Sequence, residues 1–381
     1  MQNFEFHNPT QIIFGKDTIG RIGNTIAQHT RGKILFIAGG GSIRKNGVYE
    51  QTIRSLESSG LEWIENWGVQ PNPTLAKVEE LIALAVKEEV KAILAVGGGS
   101  VLDTAKTVAA GLYVEHPWIL FEKRFNNTEA LPVFSVLTLS ATGSEFDAGA
   151  VITNEAENKK WFFMNPNVAP KASIIDPTIQ ETLPWFQTVN GAIDAMSHIM
   201  EPYFLGGDNE STLSLIEGMI HTIIYSTDRL QQNPKDYEAR ASLAWVAALA
   251  LSGIAHAGQP GSDSTPHALE HGIGALDDRV AHGAGLAVVF PAWMEYVHQE
   301  NQHIFSRWAK NIWQTNSPHE AISRFRTKIR DWGHPVNLKE LGIHSDMFPA
   351  IAKNAYQLGL PSIVKSLSEE DYLNILKSVE G

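Results

Sequence analysis

Ala92-Ile93-Leu94-Ala95-Val96-Gly97-Gly98-Gly99-Ser100-Val101-Leu102-Asp103-Thr104-Ala105-Lys106 joins an apolar run, a glycine triplet and a helix-compatible segment. A short continuous apolar run that ends in glycine reads as a strand buried on both faces. Val101 to Gly111 then reads as a helix. Strand, glycine turn and helix in that order make an anion site. Glycines let the backbone approach closely, and the free N–H groups at the helix start attract phosphate.

The pattern repeats on either side. Lys33 to Ala38 is a second buried strand that runs into Gly39-Gly40-Gly41-Ser42, and Ser42 to Ser59 suits one helix. Thr74 can cap a helix that buries Leu75, Val78, Leu81, Ile82 and Ala85. Val133 to Leu139 is a third strand, followed by Ala141-Thr142-Gly143-Ser144. This alternation predicts an α/β domain with a parallel sheet, which binds ligands beyond the carboxyl ends of its strands. Near Asp176-Pro177 and Leu183-Pro184 the strand signal stops. The remainder reads as helices, including Asp236 to Ile254 and a terminal helix capped by Ser368. The expected domains are an α/β domain over 1–180 and an all-α domain over 181–381.

The net charge of −12 argues against nucleic acid or an anionic membrane as the main partner, because both need a basic face. With no cysteine there is no disulfide and no thiolate metal site, so any metal must use Asp, Glu or His. No apolar stretch approaches the ~20 residues that span a bilayer, and Met1-Gln2-Asn3-Phe4-Glu5 does not resemble a secretory signal. The expectation is a cytoplasmic protein without a membrane partner.

Three strand ends with small residues, together with the hydroxyls of Ser100, Thr138, Ser140, Thr142 and Ser144, point to a dinucleotide. Neither turn has the spacing Gly-x-Gly-x-x-Gly followed by a ribose-binding acid. At Gly39, Gly40, Gly41 and Ser42 no carboxylate follows the strand to repel a 2′-phosphate. Ser42, Arg44 and Lys45 supply donors instead, which favours NADP over NAD. Arg44 and Lys45 read equally as solvated helix charges. Gly98, Gly99 and Ser100 form the second phosphate turn. Asp103, one turn into the next helix, either complements the helix dipole or accepts from an amide such as a carboxamide.

Two pairs with four-residue spacing, Asp194/His198 and His267/His271, are followed by His282. Residues four apart on a helix share a face, so each pair can aim at one point. A lone histidine is more often a packed or surface residue than a ligand. Here the acid lies in an apolar helical segment, where an unpartnered carboxylate is costly. Asp194, His198, His267 and His282 are therefore expected to bind a divalent metal, Fe2+ or Zn2+.

Gly97 to Lys106, Ala141-Thr142-Gly143-Ser144-Glu145, Asp194-x-x-x-His198, and His267-x-x-x-His271 before His282 occur in this order. Together they resemble the iron-containing (group III) alcohol dehydrogenase family, with likeness to its butanol-dehydrogenase and NADPH-dependent aldehyde-reductase branch. The resemblance implies the same four metal ligands. It also implies His271 beside the nicotinamide, Lys160 and Asn72 as cofactor contacts, Asp103 as a nicotinamide contact, and a homodimer. The His271-to-His282 segment looks about one residue longer than in the aldehyde-reductase branch.

The expected function is metal-dependent hydride transfer between NADP(H), or NAD(H), and a small alcohol or aldehyde, with His271 and Asp103 as catalytic residues. A polyol oxidoreductase of the glycerol-dehydrogenase kind and a non-catalytic nucleotide sensor are the alternatives. A metal-dependent hydrolase would leave the glycine turns without a role.

Overall fold

The computed structural model describes all residues, Met1–Gly381. Its strands are β1 (Gln11–Phe14), β2 (Ile34–Ala38), β3 (Trp63–Asn66), β4 (Ala92–Gly97), β5 (Val133–Leu137), β6 (Gly149–Asn154), β7 (Lys159–Met164) and β8 (Ala172–Ile175). Its helices in the first half are α1 (Ile22–Ala27), α2 (Ser42–Lys45), α3 (Val48–Ser58), α4 (Leu75–Lys87), α5 (Gly99–Gly111) and α6 (Ile119–Lys123). Then come α7 (Trp185–Tyr203), α8 (Glu210–Gln232), α9 (Tyr237–Ala250), α10 (Thr265–Leu276), α11 (His282–Val297), α12 (Gln302–Trp313), α13 (Pro318–Asp331), α14 (Phe348–Leu358) and α15 (Glu369–Lys377). None is long and apolar enough to cross a membrane.

The chain divides into two compact units, one of Asn8–Leu183 with Lys235–Ala248, the other of Met1–His7, Pro184–Pro234 and Leu249–Gly381. The first is built on a six-stranded parallel sheet in the order β1-β8-β5-β4-β2-β3, with β6 and β7 as a separate antiparallel hairpin. Alternate residues of each strand feed opposite cores. Leu35, Ile37, Ile93 and Ala95 pack under α4 and α5, while Ile34, Phe36, Ala92 and Leu94 pack against α1 and α3. Both faces are covered, which is why β2, β4 and β5 read as unbroken apolar runs.

Thr74 caps α4 by accepting from Lys77 N at 3.3 Å. The single helix expected over Ser42 to Ser59 is two. Gly47, with φ at +79°, takes a left-handed conformation between α2 and α3. The apolar stretch Trp161-Phe162-Phe163-Met164 lies in β7 and pairs with β6. The second unit is all helical. Its core centres on Phe204, which stacks on Phe305 at 4.2 Å and meets Trp293 and Trp308 edge-on. Ser368 and Asp371 form a capping box at α15.

Candidate metal centre and nucleotide turns

In the helical unit α7 carries Asp194, His198 and Glu201, α10 carries His267, Glu270 and His271, and His282 is the first residue of α11. Gly283 lets α11 approach. A Cβ there would lie 2.3 Å from the carbonyl oxygen of Asn190, one turn before Asp194. Only glycine permits that main-chain contact, and it brings His282 to the α7 side chains.

The side chains converge. Asp194 Oδ1 lies 3.2 Å from His198 Nε2, 3.5 Å from His282 Nε2 and 3.9 Å from His267 Nε2. The His198 and His267 rings stack with centroids 4.4 Å apart. His267 Nδ1 faces Glu201 Oε1 at 2.5 Å, and His282 Nδ1 pairs with Glu270 Oε2. An ionised carboxylate can only accept, so each Nδ1 carries a proton, which leaves each Nε2 as the atom that would present its lone pair to a cation. The sequence reading missed Glu201 and Glu270. Their signal was spacing, since Glu201 lies three residues beyond His198 and Glu270 three beyond His267.

Asp194 Oδ1 and His267 Nε2 are buried without a hydrogen-bond partner. Two orphaned polar atoms facing one point fit a cation held between them. The electrostatics agree. Asp194, Glu201 and Glu270 are 2%, 4% and 0% exposed. Burial opposes ionisation of Asp194, yet the surrounding His282 and His198 hold its carboxyl well below the ordinary range. Burial likewise opposes charge on His267, but Glu201 and Asp194 outweigh it and raise the imidazole to about 10. Asp194, His267 and His282 lie within ligand reach of one another, with His198 Nε2 3.2 Å from the Asp194 carboxylate, and a carboxylate with imidazoles is a donor set for divalent iron or zinc.

A second trio, Glu270, His271 and His282, also lies within ligand reach. Its carboxylate is already engaged by His282 Nδ1, so the first grouping is the better cation site. His271 is buried beside it, its ring 6.4 Å from His267 and 5.8 Å from His282.

In the sheet unit Ala38 of β2 is paired with Val96 of β4, so Gly39, Gly40, Gly41 and Ser42 emerge beside Gly97, Gly98, Gly99 and Ser100. Gly40, Ser42 and Lys45 are exposed. Arg44 is exposed but already has partners. It lies over the Trp67 and Tyr49 rings at 4.3 and 4.9 Å and 3.8 Å from Glu65. Gly99 sits under Thr142, where a Cβ would come within 2.6 Å of the hydroxyl. Thr138 N donates to Gly97 O, Thr142 Oγ1 accepts from Ser144 N, and Ser140 Oγ accepts from Gln180. Asn72, at φ +56°, and Lys160, which is buried, are connected through Thr153, whose N–H donates to Pro73 O and which pairs with Lys160.

Asp103 faces inward rather than along the helix axis. It accepts from Ser144 Oγ at 2.7 Å and Val151 N at 3.1 Å, and burial lifts its carboxyl to about 6. Fully buried Lys106 pairs with Asp147 and donates to Gly149 O.

The comparisons with known proteins agree along the whole chain. The model described as iron-containing alcohol dehydrogenase matches residues 9–177, and that described as Fe-containing alcohol dehydrogenase family, C-terminal, matches 188–379. NADH-dependent butanol dehydrogenase B of Clostridium acetobutylicum is 36% identical, covering 99% of each chain. NADPH-dependent aldehyde reductase YqhD of Escherichia coli is 33% identical, covering 95% of each. The crystal structure of NADH-dependent butanol dehydrogenase A from Thermotoga maritima superposes with a TM-score of 0.97 at 46% identity, covering 100% of this chain and 99% of that one. With both halves matched and full-length relatives above 30% identity, the chain belongs to the iron-containing alcohol dehydrogenase family.

Proposed function

We propose that this protein interconverts a small alcohol and its aldehyde, using a nicotinamide nucleotide and a divalent iron or zinc ion held by Asp194, His198, His267 and His282. The ion, when bound, supplies a Lewis acid for the substrate oxygen, and the nucleotide supplies or accepts the hydride. The observation that carries the reading is the pair of orphaned atoms, Asp194 Oδ1 and His267 Nε2, facing one point. Glu201 and Glu270 fix the tautomers of His267 and His282 and keep their Nε2 atoms directed inward. Burial of the cluster excludes water, which strengthens every charge interaction inside it. His271 is the remaining imidazole of the group and the candidate carrier of the substrate proton.

For the nucleotide, Gly39, Gly40, Ser42, Lys45, Asn72, Gly98, Gly99, Ser100, Thr138, Ser140, Thr142, Ser144 and Lys160 are the proposed contacts. Asp103 acts by holding Ser144 and the Val151 amide in place. The 2′-phosphate of NADP(H) is the favoured reading. Glu65, the carboxylate beside the first turn, is taken up by Tyr49, Trp63 and Trp67 and is not offered to a ribose hydroxyl. The NADH-dependent relatives support NAD(H) as the second reading.

The test is metal analysis with butanal reduction on wild type and Asp194→Ala. Loss of both bound metal and turnover is expected, and survival of both refutes the ligand set. The ratio of kcat/KM with NADPH and NADH settles the nucleotide, and a clear NADH preference overturns the favoured reading.

A further inference from the structure

The hairpin of β6 and β7 stands outside the six-stranded sheet. Apart from a single bridge between Thr153 and Thr74, the outer edge of β6 has no neighbouring strand. Its main-chain groups find other partners. Gly149 O accepts from Lys106 Nζ at 2.8 Å, Val151 N donates to Asp103 Oδ2 at 3.1 Å, and Thr153 N donates to Pro73 O at 2.8 Å. Asp103 and Lys106 are three residues apart on α5 and share a face. Gly149 and Val151 are two apart on β6 and share an edge. Two opposite charges, one helical turn apart, thus stand in for the missing strand.

Lys106 is fully buried, and its ammonium also pairs with Asp147, whose Oδ1 accepts from Gly149 N at 3.1 Å. A buried ion pair stabilises little beyond what packed apolar side chains would, but its hydrogen bonds are directional. The apolar contacts are not: Ala150, Ile152 and Phe163 share a core with Leu102, Ala105 and Ala109 of α5. A two-stranded hairpin is marginally stable by itself, so whatever fixes it on α5 also fixes what it carries. β7 carries Lys160, paired with Thr153, and Thr153 is joined to Pro73, the neighbour of Asn72. The charged groups around Asp103 are Lys106, which favours its ionised form, and Asp147, which opposes it; Glu145 lies in the field of the same two.

We propose that Lys106 is a positioning residue for the nucleotide: with Asp103 and Asp147 it seats the β6–β7 hairpin on α5 and so fixes the place from which Lys160 meets the cofactor. This rests on the reading of the glycine turns and Lys160 as a nucleotide site. Being fully buried, Lys106 acts through the hairpin rather than by contact.

The experiment measures Kd for NADPH and NADH from about pH 5 to about pH 8 in wild type, Lys106→Met and Asp147→Asn, with amide exchange across β6 and β7. Both nucleotides are used because the 2′-phosphate of NADPH itself titrates near about pH 6. Lys106→Met keeps the length and removes the ammonium. At the upper end of the range it should raise Kd about tenfold, the loss of one charge-assisted hydrogen bond to the nucleotide. It should also speed exchange at Val151 and Thr153, while kcat at saturating nucleotide holds. The Asp103 carboxyl, lifted to about 6, must be ionised to accept from both Ser144 and Val151, so wild-type affinity should fall as pH drops through about 6. Removing the Lys106 cation moves that fall to higher pH, and removing the Asp147 charge moves it to lower pH. Opposite shifts cannot come from a common loss of stability. Unchanged Kd in Lys106→Met, or shifts of the same sign in both variants, overturns the proposal. If Lys106→Met does not fold, Asp147→Asn decides alone: a downward shift supports the proposal and no shift overturns it. A wild type that binds neither nucleotide instead refutes the dinucleotide reading, and the positioning role falls with it.

Discussion

Glu201→Gln separates the charge of the metal-supporting carboxylate from its shape. Glu201 Oε1 accepts from His267 Nδ1 at 2.5 Å, and the residue is 4% exposed. Glutamine keeps the acceptor oxygen and nearly the volume, so the ring stays oriented and only the negative charge is lost. A hydrogen bond to a charged group contributes about 1.5–3 kcal/mol and a neutral one about 0.5–1.5. The difference is about 1–1.5 kcal/mol, roughly tenfold in metal affinity, at the lower end of the 10–100-fold typical for such supporting groups. At fixed metal concentration a tenfold loss removes about 1.4 kcal/mol of ligand-linked stability. For a unit of this size that lowers the melting temperature of the loaded protein by about 3–6 °C.

The metal-free protein should also be destabilised, through a different interaction. Without the ion, Glu201 is the carboxylate that holds His267 charged, so neutralising it leaves that buried imidazolium short of its partner. Its melting temperature should fall, and the His267 imidazole should titrate lower than in wild type. Chelator competition gives the affinity, and melting with and without added metal gives the split. Unchanged metal affinity, or a His267 pKa that does not fall in the metal-free variant, would refute the assignment of Glu201 as the charge that strengthens His267.

Two further substitutions probe the scaffold. Gly283→Ala sets a Cβ 2.3 Å from Asn190 O and 2.6 Å from its Cα, contacts with backbone that no side-chain rotation relieves. It should cost about 1–3 kcal/mol and reduce bound metal, because α11 must retreat with His282; melting and metal content check it. Glu145→Gln probes a buried carboxyl whose two oxygens lack partners and which burial raises to about 7. A carboxyl raised in the folded state binds more protons folded than unfolded. Its neutral form is free of penalty below about 4.5, and stability is lost as pH rises through about 7. Wild type and Glu145→Gln should therefore melt alike near pH 4.5, with the variant more stable by a few kcal/mol at pH 8. Parallel melting curves across that range would contradict this.

The parts of the fold legible in the sequence are those set by local pattern. β2, β4 and β5 announce themselves because burial on both faces removes polar residues. Thr74 and Ser368 announce helix starts because a side-chain oxygen there satisfies an otherwise unpaired N–H. What was not legible depends on distant partners. β1 is a short run that becomes a strand by pairing with β8, register Gln11 with Ala172. The Ala-rich helix α9 looks like any other helix in the second half. Yet Ala244 and Ala248 pack into the core of the sheet unit, which no local signal reports. The site divides the same way. Asp194 with His198 and His267 with His271 stand out because histidines at helical spacing are rare on apolar faces. Glu201 and Glu270 do not, because a glutamate on a helix is ordinarily a solvated charge, and only burial changes its meaning.

That change of meaning is what turns the cluster into a cation site rather than a set of packed histidines. The depressed Asp194 and the raised His267 report one condition from two sides, a buried excess of negative charge with imidazoles as its only counterweight. The three acids divide the work by geometry. Asp194 faces inward with an unpaired oxygen, whereas Glu201 and Glu270 stand behind two rings and set where their lone pairs point. Had the same three acids all faced inward, their repulsion would have raised a pKa and one would be protonated. Placing two of them behind imidazoles keeps their charge in the pocket while presenting nitrogen to the ion. A set that presents imidazole nitrogen suits iron or zinc better than calcium or magnesium, and the outer carboxylates are what orient the nitrogens of His267 and His282.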